Sequence, residues 1–189
     1  VPLPQGLRLM ILDTKTRRGL VDSHYNERHS QCKEASTILG KSLLRDATIF
    51  ELDDQSTGME SLLYRRAKHV ITENERVLHA VDAMYSNDHH HLGQLMYDSH
   101  KSLRDDFEVS NSSLDAMVEC ALTAPGCLGA RMTGGGFGGC VVALITAEKE
   151  EDFVNCISKC YSNKTNQDPQ IISCIPADGA SRIDPLNDL

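Results

Sequence analysis

Five glycines fall within six consecutive positions, Gly134-Gly135-Gly136-Phe137-Gly138-Gly139, and short apolar runs at residues 128–132 and 140–145 bracket them. Glycine has no Cβ and loses more freedom on ordering than any other residue. Such a cluster therefore weakens a regular element and suits a place where backbone turns sharply or is closely approached. The flanking runs carry a period of two, so the segment reads as strand, glycine turn, strand. Taken as Gly134-x-Gly136-x-x-Gly139 it fits the dinucleotide fingerprint. That fingerprint requires a helix directly afterwards, whereas Cys140-Val141-Val142-Ala143-Leu144-Ile145 is β-type, and no Gly-Lys-Ser/Thr follows to make a P-loop. The residues alone leave two readings open: a ligand-facing turn of bare backbone, and a glycine-rich hairpin with no ligand.

The rest of the chain supplies helices. After a proline-rich opening, residues 7–12 form an apolar run suited to a strand, and a domain that starts immediately on a strand looks truncated. Cys32, Ala35, Ile38 and Leu39 fall at helical spacing, which predicts a helix over 23–39 with Gly40 as its C-cap. Residues 41–58 read as a short helix plus loop. Leu63, Ala67, Val70, Val77, Val81 and Met84 form the longest amphipathic stripe, broken only by Asn74. Two further helices are marked by Leu92, Leu95, Met96 and Leu103, and by Leu114, Met117, Val118, Ala121 and Leu122; the three pack as a layer. A last helix over 148–160 and a closing strand over 170–175 follow. About four strands and five helices out of strict alternation predict an α+β fold with a mostly antiparallel sheet.

Composition narrows the function. The 189 residues carry 19 Lys and Arg against 27 Asp and Glu, a net charge of −8, opposite to what a phosphate-backbone binder needs. Nucleic acid is set aside as a partner. No apolar run is long enough for a membrane helix and no signal-peptide layout opens the chain, so the expectation is a soluble, cytoplasmic protein. Seven cysteines, an odd number with no Cys-x-x-Cys, read as buried reduced thiols. His89-His90-His91 cannot all ligate one metal from a helix, and Cys156 with Cys160 lacks further ligands, so no metal site is expected. Arg104-Asp105-Asp106 reads as a structural ion pair at a helix end rather than as an acid/base pair. Arg17-Arg18 and Arg65-Arg66 are basic knots that meet a phosphate or lie on the surface.

The run Gly129-Ala130-Arg131-Met132-Thr133-Gly134-Gly135-Gly136-Phe137-Gly138-Gly139-Cys140 resembles the third signature of the GHMP small-molecule kinases, in the form found in galactokinases. Three other stretches agree in the same order: Arg17-Arg18-Gly19-Leu20 through Tyr25-Asn26-x-Arg28, Arg65-Arg66-Ala67-Lys68-His69-Val70, and residues 99–110. Together they span nearly the whole chain, which is thus similar to the C-terminal half of such an enzyme.

The resemblance implies transfer of the γ-phosphoryl group of ATP, with magnesium, to the C1 hydroxyl of galactose. It also implies that residues 1–189 form one C-terminal domain. In this family the catalytic aspartate, the magnesium ligands and the main ATP loop belong to an N-terminal half that the chain lacks. Hence no catalytic residue is assigned here, the N-terminal half is the expected partner, and the chain alone is expected to be inactive. Tyr25 matches the tyrosine that hydrogen-bonds the sugar; by residue type alone it is a tyrosine at a helix start. Thr133, Gly134, Gly135, Gly136, Phe137 and Gly138 match the turn that abuts the active centre. One departure is Asn111-Ser112-Ser113-Leu114-Asp115 where the family commonly has a proline, so Asn111 or Ser112 is expected to cap the third helix instead. Half of a non-catalytic sugar sensor, or of an N-acetylgalactosamine kinase, fits the same residues.

Overall fold

The computed structural model describes residues 1, 4–17 and 21–175. Four strands, β1 (Leu7–Asp13), β2 (Cys127–Met132), β3 (Cys140–Thr146) and β4 (Gln170–Cys174), form one sheet in the order β2-β3-β1-β4. Every pairing is antiparallel. Six helices accompany it among the described residues: α1 (Val21–Ile38), α2 (Ile49–Asp54), α3 (Ser61–Tyr85), α4 (His89–Asp105), α5 (Ser112–Thr123) and α6 (Glu150–Thr165). The predicted elements are all present, and the α+β antiparallel class holds.

Local chemistry sets the boundaries. Gly40, at φ +64°, ends α1, as its residue type leads one to expect. Thr48 and Glu51 close a capping box on α2. The Asp88 carboxylate accepts from His91 N–H at 2.9 Å, so the histidine triplet is the first turn of α4. Asn111, not Ser112, caps α5, its Oδ1 accepting from Leu114 N–H at 2.9 Å.

Alternation along the strands covers the sheet on both faces. Met10, Leu12, Val141, Ala143 and Ile145 pack with α5 and α6, around Met117, Phe153 and Ile157. Leu7 and Leu144 point the other way, to Ala83 of α3 and Leu92 and Leu95 of α4. A third cluster joins α1, α2 and α3 through Ala35, Leu52, Leu63, Ala67 and Ile71. Helix α4 reaches the edge strand β2 backbone to backbone: a Cβ on Gly129 would stand 2.1 Å from the Gly93 carbonyl oxygen.

Two cysteine expectations are corrected. Cys120 and Cys160 form a disulfide that joins α5 to α6 across 40 residues of sequence, and Cys32, Cys127, Cys140, Cys156 and Cys174 are half-buried rather than buried. Apolar neighbours do bury Cys120, but they also bring it against α6, a contact that cysteine spacing does not encode. Closing a loop of this length stabilises by about 4 kcal/mol on the chain-entropy account. Adding a thiol reductant should therefore lower the melting temperature by roughly 8–16 °C, given about 2–4 °C per kcal/mol at this size. Calorimetry with and without reductant checks this, and an unchanged melting temperature would contradict it.

Candidate functional site

A cavity of about 350 Å³ opens where α1, the end of α4 and the glycine turn meet. Tyr25, Arg28, His29 and Cys32 line it from α1. Leu103, Phe107 and Val109 close one side, and Gly134, Gly135 and Phe137 the other. Tyr25 and part of the glycine turn, both singled out in the sequence, thus line one cavity. Tyr25 is 65% exposed, so its phenol is free to meet a ligand.

The turn divides its glycines between two jobs. Gly134 and Gly135 are exposed and face the cavity. Gly136 and Gly138 are buried against the chain's own backbone: an added Cβ would lie 2.1 Å from the Val109 oxygen at Gly136 and 2.8 Å from the Thr16 oxygen at Gly138. Both also have positive φ, +79° and +141°. Thr133 is not on the cavity wall; its N–H donates to the Cys140 carbonyl at 3.0 Å, at the base of the hairpin. Phe137 adopts φ +59°, a conformation a bulky side chain rarely takes. It is held by its N–H donating to the Val109 oxygen at 2.7 Å and by stacking on His24, ring centroids 5.1 Å apart.

The floor beneath the cavity is a clamp that the sequence reading missed. Arg28 Nε donates to the Phe107 carbonyl at 2.7 Å, and its Nη2 to the Glu108 carbonyl at 3.1 Å. Arg66, 1% exposed, donates to Gln31 Oε1 at 2.9 Å, to the Asp106 carbonyl and to Glu108 Oε2 at 2.6 Å. The reading of Arg65-Arg66 as a surface or phosphate-binding knot is therefore corrected. Arg66 ties α1 and α3 to the segment after α4, and Arg65 donates from outside to the same Glu108 carboxylate at 2.9 Å. The signal was present: Arg66 lies three residues after Leu63, on the apolar stripe of α3, where an arginine must find buried partners. The Arg66 hydrogen bond holds the Glu108 carboxyl below its ordinary range. Arg18, Gly19 and Leu20 lie outside the described residues.

His69 completes the support. Its ring stacks on Phe107 at 4.5 Å, and because Ser102 donates to Asp106 Oδ2 at 2.9 Å, His69 Nδ1–H donates to Ser102 Oγ at 3.0 Å. Burial pushes this imidazole down to about 4. The folded state then holds fewer protons here than the unfolded chain, whose histidine titrates near 6.5. Stability should be full above pH ~6.5 and fall as pH drops toward ~4, by at most about 1.4 kcal/mol per pH unit. Urea unfolding of the parent and of His69→Phe at several pH values tests this: the variant should lose that part of the slope, and parallel curves would contradict it.

None of the cavity's described lining residues is a carboxylate, and burial pushes the Cys32 thiol up, away from thiolate character. Asp105 is paired with Arg104 at 2.7 Å, and the Asp106 carboxylate accepts from Ser102 and faces Lys68 at 3.4 Å. Asp105, 55% exposed, is thus a solvated charge paired with its neighbour, while Asp106 is held by groups of α3 and α4. Among the described residues no group of three or more His, Cys, Asp or Glu is placed to hold a metal ion, and no helix is long and apolar enough to cross a membrane.

Residues 80–163 match the family model described as GHMP kinases C terminal. Galactokinase from Chloroflexus aggregans is 42% identical over 186 residues, 96% of this chain and 48% of that protein. Galactokinase from Actinobacillus pleuropneumoniae is 41% identical, with the same coverage. The chain thus spans about half the length of the curated relatives it matches. The solved Lactococcus lactis galactokinase, complexed with galactose, superposes with a TM-score of 0.87 at 31% identity, over 92% of this chain and 46% of that one. Mevalonate kinase from L. major, in complex with R-mevalonate, shares the fold with a TM-score of 0.62 at 21% identity, over 94% of this chain and 45% of that one.

Proposed function

We propose that the chain is the C-terminal half of a galactokinase of the GHMP kinase family and furnishes the sugar-facing wall of its active site. The reaction is transfer of the ATP γ-phosphoryl group to the C1 hydroxyl of galactose. The observation that carries this reading is the one cavity lined by both Tyr25 and the turn residues Gly134, Gly135 and Phe137, in a chain so similar to a galactokinase solved with galactose.

Each residue then has a physical task. The Tyr25 hydroxyl can both donate to and accept from a sugar hydroxyl, and its ring offers an apolar face to the pyranose. Gly134 and Gly135 let backbone approach the sugar, and Phe137 contributes an apolar surface fixed by Val109 and His24. The Arg28 and Arg66 clamp holds the wall still, which matters because phosphoryl transfer depends on positioning more than on covalent chemistry from the protein. ATP and magnesium, which supplies charge neutralisation on the phosphates, are assigned to the N-terminal half, as is the group that acts on the attacking hydroxyl. Residues 1–189 alone should accordingly form no galactose 1-phosphate.

In the whole enzyme, Tyr25→Phe should raise the galactose KM by roughly 2- to 13-fold, equivalent to one hydrogen bond of about 0.5–1.5 kcal/mol, with a smaller change in the KM for ATP. Steady-state kinetics with each substrate varied measures both. An unchanged galactose KM would remove Tyr25 from the sugar site.

A further inference from the structure

A second cavity, of about 430 Å³, lies farther along α1, between that helix, the turn after Gly40 and α3. It shares His29 and Cys32 with the first, but its other lining differs in charge. We infer that it is a binding site for a small phosphorylated anion, recognised by Lys33 and Arg45.

Three independent observations converge on it. Fourteen of the described lysines and arginines make ion pairs; only Lys33, Arg45 and Lys159 do not. Two of those three line this one cavity, and no carboxylate lines it with them. In a chain with eight more acidic than basic residues, a cavity wall with two uncompensated cations runs against the overall charge and leaves an anion as their natural partner. Second, the Asn74 amide nitrogen is buried and has no acceptor, although Asn74 breaks the apolar stripe of α3 and faces this space. A buried donor left unmade is costly, and an anionic oxygen in the cavity would satisfy it. Third, the lining combines these donors and the Ser42 hydroxyl with apolar Leu43, Leu44 and Val70. That mixture suits a phosphate joined to a small organic body better than a bare ion, and the volume admits one.

The site goes beyond the galactokinase reading and does not depend on it. Backbone and side-chain amide NMR of the 189-residue chain, titrated separately with inorganic phosphate, galactose 1-phosphate and uncharged galactose, tests it. The expected result is saturable shifts of the Asn74 side-chain amide and of residues 33–45 with both phosphates and not with galactose. Tighter binding of galactose 1-phosphate would identify a sugar phosphate as the ligand; equal binding would identify the phosphate group alone as what is read. Lys33→Gln combined with Arg45→Gln should weaken either by more than about tenfold, while Lys159→Gln, which removes the remaining unpaired cation elsewhere, should leave it unchanged. Both cations are exposed, so the variants should fold like the parent. Absence of saturable shifts, equal shifts with galactose, or equal binding by the double variant would overturn the proposal.

Discussion

Arg66→Met is expected to destabilise the chain by about 3 kcal/mol, whereas Arg65→Met, one residue away and bonded to the same carboxylate, should cost under about 1 kcal/mol. The difference is burial. Arg66 has no water to fall back on, and besides the exposed Glu108 it fixes Gln31 and the Asp106 carbonyl, so its removal leaves those two part-buried groups without the donor that folding gave them. Arg65 and Glu108 are 37% and 44% exposed, and each recovers water when the other is lost. Denaturant unfolding of the two variants measures the contrast. The Arg66 variant should also loosen the glycine turn, because the segment it clamps presents the Val109 carbonyl that receives Phe137 N–H. Similar stability losses in the two variants would show that Arg66 is not the anchor described.

Gly129→Ala is expected to cost at least about 3 kcal/mol, the upper end for overpacking, because the added methyl meets backbone rather than a side chain able to rotate away. Its Cβ would stand 2.1 Å from the Gly93 oxygen, and α4 must move off β2 to admit it. Helix α4 leads directly into Phe107 and Val109, so the displacement should reach the cavity as well. Gly58→Ala provides the contrast: nothing lies within 4 Å of the point where its methyl would stand, and the change should be neutral or stabilise by up to about 1 kcal/mol. Thermal melts of the two variants compare them, and a Gly129→Ala protein as stable as the parent would show that α4 and β2 are not in backbone contact.

These two cases mark what was legible in the sequence. Local periodicity gave the elements, and local capping chemistry their ends: Gly40, Asp88 and Asn111 stop or start helices through bonds made within a few residues. The strand-turn-strand reading of the glycine cluster held for the same reason. Contacts between distant segments were not legible. Gly93 resembles any tolerated helix glycine until Gly129 is laid against it, and Cys120 and Cys160 look like ordinary thiols until α5 and α6 pack. Within the candidate site, Tyr25 and the glycine turn came from a resemblance, because a single exposed tyrosine carries no signal of its own. His24 was missed, since only the fold brings its ring to Phe137. Arg66 was missed although its place on the apolar face of α3 distinguished it from Arg65. The roles of Gly134 and Gly135 on one side, and of Gly136 and Gly138 on the other, separate only when Val109 and Thr16 are in view.

A crystal structure of the full-length protein with galactose bound tests the proposed function most directly. The sugar should lie in the cavity between Tyr25 and Gly134, with a hydroxyl about 2.7–2.8 Å from Tyr25 Oη and no carboxylate from this chain at its C1 oxygen. Galactose bound elsewhere, with Tyr25 out of hydrogen-bonding range, would contradict the assignment.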